Sequence, residues 1–219
     1  MKAHLVNAQG LYGLTRFSAA GAEELTGVGV LQQRNWRRHG FLPPVEASRN
    51  ASFHLPELCG LLAYQLLATR GIGPTAAQAI IPDAARGIMF HVLAWNNAYS
   101  GPGKWPERSL SWGEVSAIHR VKIMGQDGSL PIPLRHLVWW GDDTPSFADS
   151  LDAAVNGFVS SDPRVSAGAV VFIDLQAAAS GLIARAAAPF VHVEVAPPVA
   201  EFDAPAGQFS DRAGLLSAF

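Results

Sequence analysis

The pattern of apolar and polar positions is clearest in the first hundred residues. Residues 18–25 and 29–39 read as two short helices separated by Thr26-Gly27-Val28. The second carries Arg34, Trp36, Arg37 and Arg38 and stops at Gly40. Residues 41–54 hold Pro43, Pro44, Ser48, Arg49, Asn50 and Ser52 and close on Phe53-His54-Leu55. That pattern predicts a β-ribbon with a polar tip. Pro56 suits the first turn of a helix, which runs to about residue 70 with Leu58, Leu61, Leu62 and Leu66 on one face. Gly71 is placed to end it. Pro74 opens a short helix to about residue 81, and a further helix is expected over 83–97.

The second half is less regular. Residues 99–113, with three glycines and two prolines, mark a break. Val115, Ala117, His119, Val121 and Ile123 then alternate with other residues as in a strand. Gly125-Gln126-Asp127-Gly128 reads as a turn, and residues 132–140 return as a second strand. A helix is expected over 145–159. Residues 169–175 read as a strand, 176–187 as an alanine-rich helix and 190–195 as another strand. A strand–helix–strand unit of this length predicts a parallel pair with a right-handed crossover.

The expected fold class is α+β overall. An N-terminal arm covers 1–16, a helix-turn-helix domain 17–98, a linker 99–113, a small α/β domain 114–196 and a mobile tail 197–219. The chain has 219 residues, of which 49% are apolar and 16% charged, enough for a substantial core. No run of 18 apolar residues suggests a membrane span, and the first residues do not read as a secretory signal. A single cysteine, Cys59, excludes an internal disulfide, so a cytoplasmic location is expected.

Charge sharpens the picture. Residues 1–80 carry Lys2, Arg16, Arg34, Arg37, Arg38, Arg49 and Arg70 against Glu23, Glu24, Glu46 and Glu57, whereas residues 101–219 are net acidic. A basic front and an acidic rear suit a chain whose front alone meets a polyanion. Two short helices joined by a glycine-containing turn, the second ending in a basic cluster, suit insertion of one helix into a DNA major groove.

Thr26-Gly27-Val28, Arg34-Asn35-Trp36-Arg37, Gly40-Phe41-Leu42-Pro43-Pro44, Phe53-His54-Leu55 and Gly71-Ile72-Gly73 together resemble the MerR family of winged helix-turn-helix proteins. The resemblance covers about residues 17–81. It implies that helix 29–39 enters the major groove, with Arg34 on a phosphate or base, and that the loop around Ser48, Arg49 and Asn50 is the wing. Arginine can fork onto guanine O6/N7 or clamp a phosphate, and Gln32 and Asn35 can each donate and accept at an adenine edge. The DNA-binding set is therefore Gln32, Arg34, Asn35, Arg37, Arg38, Ser48, Arg49, Asn50 and His54, while Trp36 is expected to face the core. The sequence departs from the family in two respects. Gln33 stands where such helices bury leucine or isoleucine. The long dimerisation helix is missing, because 83–97 is short and contains Gly87.

Chemistry is sparse. The seven histidines do not fall at ligand spacing, no nucleophile elbow or phosphate loop is present, and neither metal nor cofactor is expected. Asp149 and Asp152 read as a solvated helix start, and Asp174 as the cap of helix 176–187. One of Trp139 and Trp140 should be core, leaving the other for a pocket or interface. The expected function is a sequence-specific double-stranded DNA-binding transcriptional regulator, homodimeric or larger through its C-terminal domain. That domain would also receive any small-molecule or protein effector. The alternative is a phage or mobile-element protein that organises DNA for recombination directionality or packaging. A third reading is an enzyme on the C-terminal α/β unit.

Overall fold

The computed structural model describes residues 4–5, 12–44, 51–101, 133–140, 145–159 and 170–193. These form an α+β structure. The turn expected at 125–128, its preceding strand, the break at 102–113 and the tail from 197 lie outside the described residues.

The chain begins with two short strands, β1 (His4–Leu5) and β2 (Tyr12–Leu14), where an irregular arm was expected. Then β3 (Phe17–Ser18) leads into α1 (Ala19–Thr26), whose first turn is capped by the Ser18 hydroxyl, accepting from the Gly21 N–H at 3.1 Å. After the turn come α2 (Val30–Arg38) and β4 (Ser52–Phe53). β4 pairs antiparallel with β3, Phe17 opposite Phe53. The described strand of the 41–54 stretch is thus tied to the segment before α1. Next, α3 (Leu55–Ala68) starts with Pro56 in its first turn and Glu57 accepting the His54 backbone N–H. The short α4 (Pro74–Ala77) and α5 (Ile81–Val92) follow, then a 3-10 turn at Asn96–Ala98 and β5 (Tyr99–Ser100).

The later elements are β6 (His136–Trp140), β7 (Pro145–Ala148), α6 (Leu151–Val159), β8 (Val170–Asp174), α7 (Leu175–Arg185) and β9 (Val191–Val193). The helix expected from residue 145 starts only at Leu151. Residues 145–148 pair with β6 instead, and the Ser150 hydroxyl accepts the Ala153 N–H at 3.0 Å to open the helix.

The expected parallel pair of β8 and β9 does not form. β8 joins a three-stranded antiparallel sheet ordered β7-β6-β8, while β9 lies between β2 and β5 in a second sheet ordered β1-β2-β9-β5. The physical reason is burial. Val191 and Val193 are fully buried, and β9 finds strand partners on both sides, from before α1 and after α5, for its backbone polar groups.

One apolar cluster runs through both halves of the chain. It includes Leu25, Trp36, Leu58, Leu62 and Ile88 together with Leu137, Ile173, Leu175, Leu182 and Phe190. α7 packs across α5, and Gly87 makes room for it: a Cβ at that position would meet Leu175 Cδ1 at 2.5 Å. Both tryptophans of β6 are buried, on opposite faces of the sheet. Trp139 belongs to the main cluster, Trp140 to a smaller one with Val138, Ala148 and Ala154. Neither is left for a pocket or interface. No helix among the described residues is long and apolar enough to cross a membrane.

Candidate nucleic-acid interface

The site is built on the turn between α1 and α2. Gly27 has φ 77°, the left-handed region that its missing Cβ permits. The Thr26 hydroxyl donates to the Ala22 carbonyl at 2.6 Å and accepts the Val28 N–H at 3.3 Å. Gly29 cannot cap α2 with a side chain, so Glu23 reaches over from α1 and accepts the Val30 N–H at 3.2 Å. A carboxylate there also suits the positive end of the helix dipole.

Gln33 completes the clamp. It is 1% exposed, and its Nε2 donates to the carbonyls of Ala19 (2.9 Å), at the start of α1, and of Val28 (2.8 Å), in the turn. A leucine would fill this space without those bonds. Trp36, one turn further along, is buried with its ring 5.4 Å from Tyr64, and Phe41 packs against Tyr64 from beyond the helix, ring centres 6.1 Å apart and tilted. The inward face of α2 is therefore fixed by one amide and one indole.

The outward face carries Leu31, Gln32, Arg34, Asn35 and Arg38, all exposed, with His39 following. Neither Arg34 nor Arg38 pairs with a carboxylate among the described residues. Arg37 behaves differently. Its Nε donates to the Pro43 carbonyl at 2.9 Å, and its guanidinium lies 5.3 Å from the centre of the Phe53 ring. Burial lowers its pKa, opposed by the charge of Glu57. Arg37 thus ties the end of α2 to the stretch leading into β4. His54 is half-buried at the start of α3, behind this stretch. Ser48, Arg49 and Asn50 lie outside the described residues. Arg16, absent from the sequence-derived set, places its Nη1 3.4 Å from the Ser52 hydroxyl, so a further cation stands beside β4.

Leu31 is likewise absent from the sequence-derived set. A helical projection with Trp36 inward would have placed it outside with Arg34, Asn35 and Arg38.

A cleft of about 640 Å³ opens between α1, α3 and the β8–α7 unit. Leu62, Leu66, Phe172 and Ala178 supply apolar lining, and Arg70, Asp174 and Arg185 polar groups. Arg185 Nε donates to the Leu25 carbonyl at 2.7 Å, joining α7 to the end of α1. Asp174 is held from three directions. Arg135 grips both carboxylate oxygens, its Nη2 donating at 2.6 Å, and the Gln176 and Ala177 N–H groups donate at 2.9 and 3.0 Å. Burial works to raise the Asp174 pKa. The Arg135 and Ala177 hydrogen bonds and the charges of Arg135 and His136 outweigh it, so the net shift is downward. Asp174 is the cap of α7, as expected from its position.

Asp149 and Asp152 are exposed around the start of α6. No group of three metal-ligating side chains occurs among the described residues. No protein-family model matches the chain, and no curated protein matches it.

Proposed function

We propose that this protein is a sequence-specific double-stranded DNA-binding regulator of transcription, with α2 as the recognition helix of a MerR-like winged helix-turn-helix. The observation that carries the reading is the division of α2 into two faces. Gln33 and Trp36 lock one face to α1 and α3, while Gln32, Arg34, Asn35 and Arg38 project from the other. A helix about 10–12 Å across with its side chains fits a major groove about 12 Å wide. Arginine and amide side chains on it match guanine, adenine and phosphate chemistry. The wing is the 41–54 stretch, anchored by Arg37 at its start and by β4 pairing at its end.

In this reading the chain acts as a homodimer or larger oligomer through its second half, because one such module is small for gene-level specificity. Both faces of the β7-β6-β8 sheet are occupied by core, so the contact is made at a strand edge. Val170, 38% exposed at the start of the outer strand β8, supports that choice. A small-molecule effector is placed in the cleft beside Thr26 and Gly27, where occupancy would bear directly on the turn that holds α2.

Selecting duplexes from a random pool with the full chain tests the proposal. Enrichment of one motif, footprinted over the α2 contacts and weakened by salt, is the expected result. Failure to enrich any sequence would overturn it.

A further inference from the structure

The outward face of α2 contains one side chain that charge and hydrogen bonding do not explain. Leu31 is 79% exposed, more than any other large apolar residue among the described ones. It stands in the first turn of α2, three, four and seven residues ahead of Arg34, Asn35 and Arg38, so the four share one helix face. The opposite face is closed by Gln33 and Trp36, which leaves Leu31 no inward rotation. A single exposed leucine normally needs no explanation. This one is fixed on a rigid helix among groups that suit bases and phosphates.

We propose that Leu31 reads the 5-methyl group of a thymine in the major groove, and so specifies thymine at one position of the DNA site. The inference rests on the DNA-binding reading above. Thymine's methyl is the one apolar group that the four bases present on the major-groove edge. Leucine can cover it. Against guanine O6/N7 or cytosine N4, the same leucine would strip water from a donor or acceptor and offer no partner in return. Asn35 lies one turn further along the same face, about 6 Å in helix rise, which is about two base-pair steps. The thymine therefore falls within about two base pairs of the adenine that suits Asn35.

The test uses the full chain and a duplex enriched from a random pool. Each thymine in the footprint is replaced in turn by deoxyuridine, which lacks only the methyl group. Wild-type protein should lose about fourfold in affinity at one thymine, the effect of returning one methyl group to water. Leu31→Ala should bind more weakly and no longer distinguish thymine from uracil there. Arg34→Ala should bind more weakly and keep the distinction. Equal binding of thymine and uracil duplexes by the wild type at every position overturns the inference and leaves DNA binding standing. So does retained discrimination in Leu31→Ala, including the case where that variant alters only the oligomeric state. If no duplex is enriched, the DNA-binding reading fails, and this inference fails with it.

Discussion

Gln33 shows how a single polar residue can replace an apolar one at a buried position. Its amide nitrogen joins the start of α1 to the α1–α2 turn, while its buried Oε1 has no hydrogen-bond partner among the described residues. Gln33→Ala removes both bonds and leaves a void, and should lower stability by about 2–3 kcal/mol. Gln33→Leu refills the volume and should cost less than the alanine change. Denaturant midpoints at unchanged slope measure both, and an alanine variant as stable as wild type would remove Gln33 from the account. Asp174 gives a pH-dependent counterpart. Its pKa is depressed in the folded chain, so its stabilisation is present above the unfolded value of about 4 and is lost as pH falls through the folded value. Asp174→Asn should therefore be less stable than wild type by a constant margin between pH 5 and 7, and the gap should close below about pH 4. A margin that persists at low pH would mean that packing, and not charge, is responsible.

At the scale of elements, the first hundred residues were largely legible. Helices marked by Gly27, Pro56, Gly71 and Pro74 appear within a few residues of expectation, because local capping and turn chemistry set those boundaries. The second half was less legible because its strands choose partners far along the chain. Nothing in 190–195 says that β9 will sit between residues 12–14 and 99–100 rather than beside β8. On the interface, the spacing of Gln32, Arg34, Asn35 and Arg38 was readable as an outward face. The inward turn of Arg37 was not, because it depends on Phe53 and the Pro43 carbonyl. In the sequence Gly87 counts against a long dimerisation helix, whereas in the structure it sets how closely α7 approaches α5. Gly87→Ala should cost about 1–3 kcal/mol through overpacking against Leu175. In a double-mutant cycle, Leu175→Ala should relieve part of that cost, so the pair should destabilise by less than the sum of the singles. Strict additivity would mean that the two residues do not press on one another.

The whole molecule is joined by its core. α7 and β9 bury apolar surface against α5, β2 and β5, and Arg185 fastens α7 to α1. Unfolding by heat or denaturant should therefore give one transition seen alike by tryptophan fluorescence and circular dichroism. Two separated transitions would indicate halves that fold independently. The oligomer is tested by sedimentation of the full chain with and without DNA, where a monomer at micromolar concentration in both would remove the strand-edge contact. In the proposed reading α2 meets DNA with Arg34 outward. This is tested most directly by equilibrium binding of wild type and Arg34→Ala to the selected duplex across a salt series. Arg34→Ala is expected to fold normally, to bind about 1–3 kcal/mol more weakly and, if the contact is to a phosphate, to have a salt slope shallower by about one ion. A folded Arg34→Ala protein with wild-type affinity at every salt concentration would contradict it.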